Sequence, residues 1–152
     1  MECIGGSGVM EDSMMPRLYR EAPVNTIWEG SGNVQCLDVL RAISRTPAVI
    51  DAFFAEVALS KGGNPALDQL VAGLVKDLKE ARDVEYRARD LVDRMAVALQ
   101  ASLLIRHAPS FVGDAFCQSR LQQTGHHNYG SLPRGVDCAA ILARATPKMT
   151  HA

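Results

Sequence analysis

A single acidic side chain, Glu29, stands between an aromatic residue and a glycine-containing turn. Trp28 precedes it, the Gly-Ser-Gly turn at residues 30–32 follows it, and an amphipathic run over residues 34–43 comes next. A carboxylate in this setting can accept a proton from a bound molecule, because apolar neighbours strengthen it as a base. The same carboxylate can instead cap the positive end of the following helix. The residues alone leave both interpretations open.

A second cluster of turn-forming residues, Gly5-Gly6-Ser7-Gly8, lies upstream. Glycine adopts left-handed backbone angles at little cost, so the cluster is typical of the end of a helix. Backbone N–H groups exposed in such a turn also bind phosphate. Spacing alone favours the helix end over the phosphate site.

Cysteine and histidine, the usual zinc ligands, do not occur here at ligand spacing. The cysteines lie far apart without a CxxC pair, and the adjacent histidines at positions 126–127 stand in a glycine-flanked segment typical of a polar loop. We therefore predict no metal site, and four reduced thiols at Cys3, Cys36, Cys117 and Cys138.

Composition indicates a globular chain without a strong electrostatic preference. Apolar residues make up 47% of the 152 positions and charged residues 22%, and sixteen Lys and Arg nearly balance seventeen Asp and Glu. The net charge of −1 implies neither a nucleic-acid nor a membrane partner. No apolar run approaches the roughly 20 residues of a membrane span, and residues 1–9 lack the features of a signal peptide. We expect a cytoplasmic protein.

Helices must position the candidate residues in the first part of the chain. A short helix is predicted at residues 14–21, stopped by Pro23, and another at residues 31–44, with Ser31 as its N-cap. Residues 46–59 predict a mostly buried helix that Thr46 caps. The core face predicted for the helix at residues 31–44 consists of Val34, Leu37, Leu40 and Ile43.

The second part of the chain also has helical periodicity throughout. Asn64-Pro65 predicts a helix start, and leucines three or four residues apart over 65–107 predict one long helix or two nearly collinear ones. Helices at residues 110–124 and 136–145 follow, the first forming an antiparallel hairpin with its predecessor. No strand is predicted, so the fold class is all-α, a helical bundle. The ion pairs predicted on the long helix are Lys76–Glu80, Lys79–Asp83, Asp83–Arg87, Glu85–Arg89 and Asp90–Arg94.

Three segments occur in an order and spacing that resemble the C-terminal part of the acyl-CoA dehydrogenases: Glu2 to Gly8, Pro16 to Arg20 and Ile27 to Ser31. Trp28 before Glu29, with the segment at residues 126–133, is similar to the AidB-like, alkylation-response branch. The resemblance divides the chain into the end of the dehydrogenase C-terminal domain at 1–45 and an AidB-like helical extension at 46–152.

The resemblance implies a site and a cofactor. Glu29 occupies the place of the base that removes the α-proton of an acyl-CoA while the β-hydrogen leaves as hydride to FAD. Glu2 stands where a glutamine commonly helps to bind the FAD of a neighbouring subunit. The resemblance further implies that Gly5 and Gly6 meet that subunit's FAD pyrophosphate and that Ile27, Trp28, Gly30 and Ser31 lie along the flavin or its diphosphate.

The family's N-terminal helices and middle β-domain have no counterpart in this sequence. We therefore expect a C-terminal fragment of a homo-oligomeric parent, a dimer or tetramer, that is inactive and does not retain FAD on its own. Two other functions stay open: a DNA-binding or DNA-protective module, and a helical oligomerisation domain. Residues 46–152 carry twelve Lys and Arg against eleven Asp and Glu, which does not favour DNA binding.

Overall fold

A computed structural model describes residues 1–80, 82–122 and 130–148. These residues form α-helices and short 3-10 segments without any strand, which confirms the all-α fold class. The histidines at positions 126–127, which were predicted to lie in a loop, are outside the described residues. The α-helices are α1 (Met15–Glu21), α2 (Gly32–Arg45), α3 (Ala48–Ala58), α4 (Pro65–Lys79), α5 (Ala88–His107), α6 (Ser110–Arg120) and α7 (Cys138–Ala145); the 3-10 segments are Glu2–Val9 and Ala22–Thr26.

Helix α5 is the centre of the bundle. It packs against α2, α3, α4 and α6, while α7 rests on α6. Apolar side chains from several helices meet along α5 and exclude water, which stabilises the bundle. In the part of the chain that the structure describes, no helix has the length and apolar character of a membrane span. The buried core cluster comprises Val57, Leu67, Leu74, Leu91, Met95, Ala98, Ala101 and Cys117.

The prediction of one long helix, or two collinear ones, over residues 65–107 is wrong. Helix α4 ends at Lys79, α5 begins at Ala88, and α5 lies antiparallel to α4. Arg94 of α5 accordingly bonds to Asp77 of α4, with 2.7 Å between Nη2 and Oδ2. The physical reason is burial, because a straight helix would leave its leucine stripe in water, whereas the fold-back buries both halves.

The turn between α4 and α5 depends on Arg87. Its Nη2 donates to the carbonyl oxygens of Glu80 at 2.9 Å and Arg82 at 3.0 Å, with a longer contact to Asp77. Asp83 adopts a positive φ of 54°. Of the five predicted ion pairs, all between described residues, only Asp90–Arg94 forms; the other four are wrong because they assumed an uninterrupted helix.

The predicted N-cap is confirmed for α4 but not for α3. Asn64 caps α4 as predicted, its Oδ1 accepting from the N–H groups of Ala66 and Leu67. The predicted side-chain cap of α3 by Thr46 is wrong, because α3 begins after Pro47 without a side-chain cap bond. Burial of α3 is only partial: Val57 is buried, but Val49 and Leu59 remain exposed.

Helices α5 and α6 form the predicted antiparallel hairpin. Gly113 of α6 lies so close to α5 that a Cβ there would meet the Leu104 carbonyl oxygen at 3.4 Å. Cys117 is fully buried at this contact, and burial raises the pKa of its thiol. Helix α6 ends at Arg120, earlier than predicted. All four cysteines are free.

Candidate functional site

The turn that carries Glu29 has an unusual backbone. Glu29 has a φ of 62° and Gly30 a φ of 117°, so two successive residues lie in the region that disfavours side chains. The N–H of Trp28 donates to the Val24 carbonyl oxygen at 3.0 Å, and the N–H of Gly30 to that of Ile27 at 3.2 Å. These bonds join the turn to the preceding 3-10 segment.

Gln35 closes the turn from its other side. Its Nε2 donates to the carbonyl oxygen of Glu29 at 2.6 Å. A Cβ on Gly30 would lie 3.1 Å from the same nitrogen, so the amide covers the turn closely. Gln35 had no predicted role. The one available signal was an amide in the helix that follows the turn, six residues after Glu29.

The first turn of α2 fixes this turn to the bundle. Ser31 occupies the N-cap position of α2 with extended backbone angles, but its side chain makes no capping bond. At Gly32 the guanidinium of Arg89 from α5 comes within 3.3 Å of where a Cβ would be. The Arg89 side chain of α5 thus lies beside Gly32, where α2 begins.

The side chains at the turn face outward. Trp28 is 62% exposed, Ile27 is 63% exposed, and Glu29 is exposed as well. The expectation that Trp28 would help to enclose Glu29 is therefore not met within this chain, because none of its described elements covers that side of the turn. Any enclosure of the carboxylate must come from another protein surface or from a bound molecule.

The glycine cluster presents open backbone. Gly5 has a φ of 69°, in accord with the predicted use of glycine for a turn. A Cβ placed on Gly5 or Gly6 would have no other described atom within 4 Å, whereas one on Gly8 would meet Met1 at 3.1 Å. Helix α1 packs against both 3-10 segments, the one with these glycines and the one that leads to Glu29. It is thus the element that links the two parts of the predicted site.

The predicted core face of α2 is partly wrong. Val34 and Leu37 are exposed, while Val39 and Ile43 pack against the core. Periodicity identifies an apolar side of a helix, but α5 covers only one edge of it. The uncovered edge borders an open groove of about 600 Å³. Its lining residues are Val34, Leu37, Asp38, Leu40, Arg41, Ser44, Arg45, Val84 and Glu85.

Several arginines of the second part of the chain are already engaged. Arg94 pairs with Asp77 and Asp90, and Arg106 bonds to Glu56. Arg87 bonds to carbonyl oxygens, as described above. These cations are therefore unavailable to bind a phosphate backbone without breaking internal bonds. Among the described residues, no group of three or more His, Cys, Asp or Glu side chains is arranged to hold a metal ion.

Comparison with known proteins identifies the family of this chain. Residues 1–44 match the family model of the acyl-CoA dehydrogenase C-terminal domain. Over 125 residues the chain is 36% identical to the putative acyl-CoA dehydrogenase AidB of Escherichia coli, covering 82% of this chain and 23% of AidB. It is 37% identical over 127 residues to acyl-CoA dehydrogenase family member 11 of Caenorhabditis elegans, covering 71% of this chain and 21% of that protein. The chain thus spans less than a quarter of the length of these relatives, and it belongs to the acyl-CoA dehydrogenase family.

Proposed function

We propose that this chain forms the C-terminal helical part of an FAD-dependent acyl-CoA dehydrogenase, with Glu29 as its general base. In this proposal the Glu29 carboxylate takes the α-proton of an acyl-CoA thioester. The β-hydrogen leaves with its electron pair, and the electrons of the broken α C–H bond form the new double bond. The observation that carries the proposal is the placement of Glu29 on an exposed, fixed turn within the region that matches the family domain.

The residues around the turn suit FAD. When bound, the flavin supplies the acceptor for the hydride. Gly5 and Gly6 leave their backbone open to a diphosphate, since no described atom lies near their Cβ positions. Ile27 and Trp28 offer exposed apolar surface to a flat ring, and Ser31 offers a backbone N–H group beside it. Gly30 adjoins the same surface, although its own N–H donates to the Ile27 carbonyl oxygen. We infer that these six residues contact FAD, with Gly5 and Gly6 serving the FAD of a neighbouring subunit.

The proposal divides the work between the two parts of the chain. Residues 1–45 carry the site, and residues 46–152 form an AidB-like extension whose helix α5 holds α2 in place. We further propose a homo-oligomer, because a second copy could cover the open glycines and the exposed side of the Glu29 turn. Acyl-CoA is the substrate class, and the acyl chain is selected outside residues 1–152.

The test is a chimera of the Caenorhabditis elegans relative in which this chain replaces the matched region. The chimera is purified with FAD and titrated anaerobically with short, branched and long acyl-CoAs while the flavin absorbance is followed. The unmodified relative serves as the positive control. We expect every acyl-CoA that bleaches the relative to bleach the chimera, and Glu29→Gln to slow bleaching at least roughly 100-fold, the scale of a lost general base.

Two results would count against the proposal. A chimera that holds FAD but is not bleached would contradict the dehydrogenase function, as would an unchanged bleaching rate in Glu29→Gln. Salt-dependent binding of duplex DNA by the same flavin-loaded but unreactive chimera would instead favour the DNA-binding alternative.

A further inference from the structure

Glu29 holds a backbone conformation that its residue type disfavours. A positive φ brings Cβ toward the neighbouring carbonyl oxygen, and residues other than glycine adopt it only where surrounding bonds hold them there. Of the two backbone bonds of the turn, the one from the N–H of Gly30 holds the peptide plane that follows Glu29 from one side. The Glu29 carbonyl oxygen, on the other side of that plane, is open to a further contact.

Gln35 supplies that contact. Its side chain is the one group that bonds to the Glu29 carbonyl oxygen in the described structure, at 2.6 Å from Nε2. Because a carbonyl oxygen only accepts, the nitrogen side of the amide must face it. The same nitrogen lies 3.1 Å from where a Cβ on Gly30 would be, so it is close to both positive-φ residues of this turn.

The backbone of Gln35 is held in helix α2, although its side chain is exposed. Gln35 belongs to α2, whose backbone N–H at this residue bonds to the Ser31 carbonyl oxygen at 3.0 Å. Helix α2 in turn packs against α5, with Arg89 against Gly32. A continuous set of contacts thus runs from the core helix α5 through α2 and the Gln35 amide to the backbone of Glu29.

We propose that Gln35 is a positioning residue for Glu29: its amide holds the Glu29 backbone at positive φ and so aims the carboxylate at the α-hydrogen of the substrate. This inference rests on the proposed function. It assigns Gln35 no contact with substrate and no part in proton transfer. Its effect is on the orientation of the base, so loss of the amide donor should slow proton removal without weakening acyl-CoA binding.

The backbone role is tested by NMR on the 152-residue chain. The variant Gln35→Met keeps the length of the side chain and removes the donor, and Gln100→Met makes the same exchange at another exposed helical site. The wild type and the Gln100→Met control should both show the strong intraresidue amide-to-Hα NOE of a positive φ at Glu29. Gln35→Met should lose it. An unchanged NOE in Gln35→Met would overturn the inference.

The positioning role is tested in the chimera described above. We expect Gln35→Met to lower the limiting rate of flavin bleaching roughly 10-fold to 100-fold, with an unchanged half-saturating acyl-CoA concentration. Gln35→Lys, which restores a donor, should recover most of the lost rate, and Gln100→Met should behave as wild type. An unchanged limiting rate in Gln35→Met, or a rate that Lys does not recover, would contradict positioning.

The two proposals fail in different ways. An unreactive chimera with Gln35 intact would count against the dehydrogenase function, and the NMR comparison would then decide the backbone role of Gln35 alone. A reactive chimera that needs Glu29 but is indifferent to Gln35→Met would keep the proposed function and overturn the positioning role.

Discussion

Residues 1–45 and residues 46–148 bury their side chains to very different extents. In the first region, which the structure describes throughout, only Gly8 and Pro16 are buried, and many large apolar side chains face outward. In the second region the core cluster runs from Val57 to Cys117 and closes around α5. The two regions have similar apolar character in sequence, so the difference lies in what covers them.

The exposed apolar side chains of the first region mark it as the candidate surface for a partner. Large exposed apolar patches mark interaction sites in soluble proteins. The first region touches the core through the far edge of α2, by way of Val39 and Ile43. The second region thus contains the core, and the exposed apolar side chains of the first support the proposal that it meets another protein surface. The exposed large apolar residues of the first region are Ile4, Val9, Met10, Met14, Leu18, Tyr19, Val24, Ile27, Trp28, Val34 and Leu37.

The largest expected effect is the difference in the free energy of unfolding between leucine truncations in the two regions. Leu74 is 0% exposed, so Leu74→Ala removes buried methyl groups and should lower the free energy of unfolding by about 3 kcal/mol. Leu18 is 51% exposed, and Leu18→Ala should cost about 0.5 kcal/mol or less. Urea unfolding of both variants measures the two changes in the free energy of unfolding. Equal losses would mean that α1 is packed as tightly as α4.

A smaller effect is expected at the turn that closes the second region. Arg87→Met removes the donor to the Glu80 and Arg82 carbonyl oxygens and should cost about 2 kcal/mol. Arg82→Met, on the same turn, loses only a 3.7 Å ion pair between exposed side chains and should stay within about 0.5 kcal/mol of wild type. Thermal unfolding compares the two. A cost at Arg82 as large as at Arg87 would contradict the role given to Arg87 in the turn.

Each region holds one non-glycine residue at positive φ among the described residues, Asp83 and Glu29. Glycine accepts this conformation readily, so Asp83→Gly should raise the free energy of unfolding by about 0.5 kcal/mol. Because Glu29 lies in the region without a buried core, Glu29→Gly should leave the global value unchanged. Chemical denaturation measures the free energy of unfolding of both variants. Equal gains would show that both regions unfold as a single unit.

The smallest effect is a pH dependence that arises from an ion pair of the second region. The hydrogen bond from Arg94 is the main cause that lowers the pKa of Asp77 in the folded protein. Above the unfolded pKa, about 3.9, the full stabilisation is present, and it is lost as the pH falls through the folded pKa. The stability difference between wild type and Asp77→Asn should therefore be constant down to about pH 5 and shrink below it. In an Arg94→Met background the shrinkage should be much smaller, and its persistence would contradict the assignment to Arg94.

Local signals predicted much of the fold. Asn64 and Pro65 marked the start of α4 correctly, and the short connection before α6 predicted the α5–α6 hairpin. The α4–α5 turn was missed because no glycine or proline occurs over residues 80–87 and the leucine spacing continues on both sides. The turn is set by burial, which is a tertiary effect, and by the Arg87 side chain, which bonds to the carbonyl oxygens of Glu80 and Arg82.

The candidate site was predicted unevenly for similar reasons. The resemblance pointed to Glu29 and its glycine neighbours, and their roles stay predictions. The Gln35 bond to the Glu29 carbonyl oxygen depends on the angle at which α2 leaves the turn, which no residue type specifies. The outward side of α2 was misassigned because periodicity gives the direction of an apolar edge but not the presence of a neighbour.

The packing of α2 against a later helix has a consequence for synthesis of the protein. Helix α2 leaves the ribosome before α5, and the end of α5 lies about 60 residues further along the chain. At ordinary elongation rates of about 5–20 residues per second, the apolar side of α2 is exposed for roughly 3–12 s before α5 is complete. During that interval a chaperone that binds short apolar helices can bind the nascent chain. We expect the chaperone to release the chain when α5 emerges.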